Sequence, residues 1–204
     1  MISSQVDSLF SAPAALVDFG PYRRKQLGLQ EIADGLGRDG LARATNAVCD
    51  LQLALIADAV DADAVMVPDD PEADDPYADD EGDRNLSWTL GHVVAHTTAS
   101  SEEAAAQALV LARGLPVEGR SRYETPWQRV TTADAMRARI QESRRMRLAM
   151  LEAWPDRPDL ENVWEPRPDV RLNALGRFLG GLAHDDSHLA QIRRIMEQCR
   201  AARP

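Results

Sequence analysis

Apolar residues recur at three- and four-residue steps over four long stretches of the chain. Leu41, Ala44, Val48, Leu51, Leu55 and Ala59 share one helical face, which predicts a first helix over about Gly40–Val60. A second helix is expected from about Ser87, a residue able to cap it, to Arg113, where Gly114 and Pro116 stop it. A third is expected over about Thr132–Trp154. Thr131 and Asp134 resemble a capping box, Pro155 ends the helix, and the inward face reads Met136, Ile140, Ser143, Arg147, Leu151 and Trp154. A fourth covers about Val170–Ala201, and no stretch alternates convincingly as a strand. Four long amphipathic helices imply an all-α fold, an antiparallel four-helix bundle.

Two segments fall outside that pattern. Residues 1–37, with Pro13, Gly20, Pro21, Gly28, Gly35 and Gly37, are expected to be an N-terminal extension with one or two short helical turns and no chemistry. The bundle then occupies residues 38–204, interrupted by an acidic loop at about 61–84, "DADAVMVPDDPEADDPYADDEGD". Pro68, Pro71 and Pro76 forbid a continuous helix there, and the carboxylates repel one another, so a solvated linker is expected. The run lacks the glycine and glutamate spacing of an EF-hand calcium loop.

Composition narrows the class. A chain of 204 residues with 44% hydrophobic and 5% aromatic residues fits one helical domain with appendages. The net charge of -10 argues against nonspecific binding to nucleic acid or to an anionic membrane. Cys49 and Cys199 lie outside any CxxC motif and read as buried free thiols. The start of the chain lacks a basic segment with a sustained apolar run, and no apolar stretch approaches the roughly 20 residues that span a bilayer. A cytoplasmic protein is the expectation.

The candidate chemistry lies in the histidines. All four form two HxxxH pairs, His92 with His96 in "LGHVVAH" and His184 with His188 in "GLAHDDSHLAQI". Histidines four apart stand one turn above each other on one helical face. At about 100° per residue, His184, Ile192, Ile195 and Gly181 all fall within about 40° of His188, so the second pair points into the bundle. The face carrying His92 and His96 is mixed, with apolar company. Buried imidazoles need partners, and a divalent metal supplies one. Imidazole nitrogen suits zinc, nickel, copper or iron rather than calcium or magnesium. HExxH is absent, so a zincin-type protease is not indicated. Asp185 is a candidate orienting residue or general base, although a solvated acid is the plainer expectation.

"NLSWTLGHVVAHTTAS", followed after most of a bundle by "GLAHDDSHLAQI", resembles the DinB-like superfamily of metal-binding four-helix bundles. The matching features are Ser87 and Trp88 at a helix start, His96, the late pair His184 and His188, and Gln191 with Ile192. They cover roughly residues 38–200. The resemblance implies that His96, His184 and His188 bind a divalent transition metal, zinc or nickel, with an open face, often in a homodimer. The family includes thiol-dependent S-transferases that use bacillithiol or mycothiol. It also includes mycothiol-dependent maleylpyruvate isomerases, whose corresponding segment is similar to "WTLGHVVAH". The implied activity is therefore S-transfer from a low-molecular-weight thiol to an electrophilic small molecule. The alternatives are a non-catalytic, metal-stabilised bundle and a mycothiol-dependent isomerase, which would require a larger substrate-binding region than is evident here.

Thr97 departs from the family's usual leucine after the first ligand, and the extension and acidic loop exceed its common core. His92 is a possible fourth ligand, or a residue supporting the ligands from one layer away. Three ligands with an open position favour catalysis, whereas four including His92 favour a closed structural site. Arg144 or Arg147 would be placed to steady an anionic cosubstrate, although an arginine stem along the bundle with its head in water is the plainer expectation.

Overall fold

A computed structural model describes residues 17–71, 73–74, 84–119 and 125–203. Two short helices, α1 (Gly20–Arg23) and α2 (Leu29–Asp34), precede α3 (Gly37–Leu55) and the short α4 (Asp61–Val65). Then come α5 (Leu90–Ala112), a 3-10 turn (Trp127–Arg129) and α6 (Ala133–Glu152). A hairpin of β1 (Trp164–Arg167) and β2 (Val170–Leu172) leads into α7 (Ala174–Ala202). Helices α3, α5, α6 and α7 form the bundle. Among the described residues no helix is long and apolar enough to cross a membrane.

The long helices start where short polar side chains tie down free amides. Thr89 accepts from the His92 N–H at 3.2 Å, Thr132 from Ala135 at 3.1 Å and Asn173 from Leu175 at 2.9 Å. Thr89 and Thr132, both in extended backbone, thus cap the second and third helices in place of Ser87 and Thr131. The fourth helix begins at Ala174 rather than Val170 because the preceding residues pair as strands, Trp164 opposite Leu172 and Arg167 opposite Val170. The guanidinium of Arg177, in the first turn of α7, lies 5.0 Å from the Trp164 ring and fastens this hairpin to the bundle.

Hydrogen bonds between helices fix their order. Arg144 of α6 reaches Asp50 of α3, and Arg38 at the start of α3 reaches the carbonyl of Trp154 just past the end of α6, so α3 and α6 are antiparallel. Ser101 reaches Gly181 and Arg177 reaches Gln107, so α5 and α7 are antiparallel too. Arg139 pairs with Glu102, and Arg113 reaches Ala153, which places α5 and α6 side by side in the same sense. The order is up-down-down-up, so Arg113 and Thr132 lie toward opposite ends of the bundle. Around the ring α5 touches α6 and α7, and α3 touches the same two. Helices α6 and α7 lie diagonally opposite.

The expected inward face of α6 is the buried one: Met136, Ile140, Ser143, Arg147 and Leu151, with Trp154 just beyond. Cys49 and Cys199 are buried free thiols. Helix α3 ends at Leu55, short of Val60, and the chain turns before α4. There Asp63 accepts the Val60 N–H at 2.8 Å and pairs with Arg203, while Asp61 accepts the Ala133 N–H at 2.9 Å. The opening of the acidic segment is therefore part of the framework, not a solvated linker. Its residues 72 and 75–83, and residues 1–16 of the N-terminal extension, lie outside the described residues.

Gly91 allows the closest packing at this end of the bundle. A Cβ there would sit 2.1 Å from the Val130 carbonyl oxygen and 3.0 Å from that of Ala64. Both obstacles are backbone, so Gly91→Ala should lower the unfolding free energy by about 1–3 kcal/mol, measured by chemical denaturation. At this same end, hydrogen bonds from Arg200, with its charge and a bond from Arg203, hold the Asp58 carboxyl well below the usual aspartate range. A depressed carboxylate pKa stabilises the fold above the unfolded value and loses that contribution as pH falls. Asp58→Asn should therefore flatten the decline of thermal stability below about pH 4.

Candidate metal centre

Three imidazoles meet where α5 and α7 run side by side. His96 is in the second turn of α5, and His184 and His188 are one turn apart on α7. The approach of the helices is set one turn earlier by Gly181, where a Cβ would meet Ala104 Cβ at 2.8 Å and Ser101 Cα at 3.1 Å. One ring nitrogen from each histidine lies within 4.8 Å of the other two, and all three residues are half-buried. His96 Nε2 and His184 Nε2 are 3.0 Å apart. Two nitrogens sharing a tetrahedral metal at ~2.0–2.1 Å stand roughly 3.3 Å apart, so this spacing fits a common ion. The donor set, three imidazoles and no carboxylate, suits a borderline transition metal.

His188 is oriented for such a role. Its Nδ1 lies 2.7 Å from Gln191 Oε1. A carboxamide oxygen only accepts, so Nδ1–H donates to it, and in the neutral ring Nε2 is the nitrogen left to face a metal. A cavity of about 180 Å³ opens beside it, lined by Asp70, Asp74, Leu86, Trp88, His188 and Gln191 among others. Trp88 forms a wall of the site, its ring centroid 4.6 Å from that of His96 and 6.1 Å from that of His188.

His92 is not among the three gathered nitrogens. Its ring is stacked between Trp88 at 4.4 Å and Trp127 at 4.5 Å. It lines a different cavity, about 270 Å³, together with Val65, Val67, Trp127 and Val130. Nothing in the sequence periodicity marks Trp127, which reaches His92 only through the return of the chain before α6.

The acids and arginines stand differently from expectation. Asp185 is not a solvated acid: it is 0% exposed, and Arg147, 1% exposed, does not hold its head in water. Arg147 Nη1 donates to Asp185 Oδ2 at 2.6 Å, Nη2 lies 2.8 Å from Cys49 Sγ, and Nε donates to the Ser143 carbonyl at 3.3 Å. Ser101 Oγ lies 2.8 Å from Asp185 Oδ1 and 3.0 Å from the Gly181 carbonyl, so its single proton serves one or the other. Burial pushes the Asp185 carboxyl up, against the pull of Arg147. Burial opposes the charge on Arg147, but Asp185, Cys49 and Glu102 together outweigh it, and the guanidinium pKa is raised. Burial likewise pushes the Cys49 thiol up, so it stays protonated at neutral pH. Arg144 is engaged with Asp50 on α3. Asp186 pairs with Arg23 of α1, so the N-terminal extension does reach the turn of α7 between the two histidines.

An up-down-down-up helical bundle with three inward imidazoles on two adjacent helices defines the class. Residues 37–192 match the DinB superfamily, and the chain belongs to it. No curated protein and no solved structure is detectably similar to the chain.

Removing one partner of a buried ion pair strands the other charge away from water. Arg147→Met should therefore cost about 3–5 kcal/mol of folding free energy, read from urea or guanidinium unfolding at neutral pH.

Proposed function

We propose that His96, His184 and His188 hold one divalent transition metal, zinc or nickel, in a thiol-dependent S-transferase acting on an electrophilic small molecule. The observation that carries this is the gathering of three ring nitrogens within 4.8 Å beside an open cavity of about 180 Å³. Bound there, such a metal would lower the pKa of a low-molecular-weight thiol and hold it as the thiolate nucleophile. In the transfer the S–C bond forms as the bond to the leaving group breaks, and the thiol proton goes to solvent.

The chain's own residues serve this chemistry in distinct ways. Gln191 fixes the ring and tautomer of His188. Trp88 and Leu86 line the approach with apolar surface, which excludes water from one side of a bound ligand. The stacking of His92 between two indoles supports three protein ligands and an open position rather than a closed four-histidine site. Arg147 takes no part in holding a cosubstrate in this reading, because Asp185 occupies it. A homodimer is part of the proposal by family likeness, and light scattering of the purified protein tests it.

Metal analysis of purified protein should give about one transition-metal ion per chain, and His184→Ala should abolish it. Equal trace metal in both would remove the assignment. Binding of Ni²⁺ or Cu²⁺ should quench tryptophan emission, with most of the quench lost in Trp88→Phe. Thiol consumption with bacillithiol, mycothiol and glutathione against a panel of electrophiles tests the reaction. A metal-loaded protein inert towards all three thiols favours instead a bundle that the metal merely stabilises.

A further inference from the structure

We propose that the buried Arg147–Asp185–Ser101 cluster sets the position of His184 and His188 against His96, making these three side chains positioning residues for the metal centre. The inference rests on the reading that the histidines hold a metal.

Asp185 directly follows His184 and precedes His188 by three residues, so it rides on the same turn of α7 as both. Its two oxygens are held from different helices: Oδ1 by Ser101 of α5, five residues after His96, and Oδ2 by Arg147 of α6 from across the bundle. One carboxylate thereby fixes both the rotation and the height of the ligand-bearing turn. The surrounding apolar contacts are poorly suited to that task. Gly181 of α7 meets Ala104 of α5, and small, smooth side chains let helices approach closely without locking their rotation. Hydrogen bonds are directional and supply what this packing lacks.

The required precision is high. A side-chain tip stands roughly 5–6 Å from its helix axis, so a rotation of about 10° carries an imidazole nitrogen about 1 Å. Metal–ligand distances tolerate only about 0.2 Å. A modest twist of α7 would thus take His184 and His188 out of range of an ion held by His96, while leaving the bundle folded.

The test uses the full chain as wild type, Arg147→Met/Asp185→Leu and Ser101→Ala. Zn²⁺ affinity is measured by competition with a chromophoric chelator, and Co²⁺ ligand-field absorption reports the coordination geometry. The double variant replaces the ion pair with apolar groups of similar size, a change that buried pairs often tolerate. It should unfold cooperatively with unchanged helix content, yet bind Zn²⁺ at least about tenfold more weakly and with a shifted Co²⁺ spectrum. Ser101→Ala should move both readouts in the same direction by a smaller factor, and it decides the matter if the double variant does not fold. Wild-type affinity together with a wild-type Co²⁺ spectrum in the folded variant would overturn the inference. A wild-type chain that binds neither ion would instead overturn the assignment of the histidines, and the positioning role with it.

Discussion

A charged pair sealed inside the bundle constrains everything around it. Arg147 meets Asp185 across the diagonal of the four-helix ring, with both side chains out of reach of water. Taking two charges out of water costs several kcal/mol per ion, recovered only with good geometry and additional hydrogen bonds. Those come from Ser101 on α5, the carbonyl of Ser143 on α6 and the thiol of Cys49 on α3. Each bundle helix thus contributes to one polar knot. Any arrangement that slides or swaps a helix leaves a charge stranded, so the pair acts on the choice of packing more than on the total stability. It also joins α6 and α7, which lie diagonally opposite in the ring.

The knot works because the helices beside it are made of small residues. Helix α5 carries Gly91, Ala95, Thr97, Thr98, Ser101, Ala104, Ala105 and Ala108 on buried positions. Its threonine hydroxyls return to carbonyls one turn back, Thr97 to Val93 at 2.9 Å and Thr98 to Val94 at 2.6 Å, so their burial leaves no polar atom unserved. The hydroxyl of Thr97 therefore carries no penalty on this buried face. The same small surface brings the α5 and α7 backbones close enough for His96 to reach His184. At the rim, larger rings take over: Trp88 and Trp127 clamp His92, and Trp88 walls the histidine cluster.

Periodicity made much of this legible. The 3.6-residue pattern gave the four long helices, the inward face of α6 and the inward direction of His184 and His188. The same pattern says which way a side chain points but not what it meets. Arg147 lay on the inward face and Asp185 about 60° from His188 on the helical wheel, yet their charges made solvated heads the natural expectation. Only the up-down-down-up order, which depends on the return segment before α6, brings the two together. Trp127 escaped notice for the same reason. Helix ends were displaced by competing local bonds: Thr89 and Thr132 over Ser87 and Thr131, and Asp63 restarting the chain as α4. The hairpin before α7 is too short for alternation to reveal it, and it is anchored by Arg177 over Trp164 and by buried Leu172.

Where the histidines sit bears on why the chain has them. A metal there would join α5 to α7, the two bundle helices already in closest contact, through Gly181 against Ala104, Ser101 on Gly181 and Arg177 on Gln107. Any ion binding only the folded state adds stability by mass action. A tie serves mechanical need best between elements that lack other contacts. Here the sparsely touching pairs are the diagonal ones, and Arg147 with Asp185 already spans α6 and α7. The imidazoles of His184 and His188 share that turn of α7 but are half-buried, with His188 lining a cavity, rather than sealed in the dry interior like Asp185. In the proposed reading, one turn of α7 thus carries two tasks on two faces: sealed Asp185 ties the helices together, and half-buried His184 and His188 hold the ion with His96.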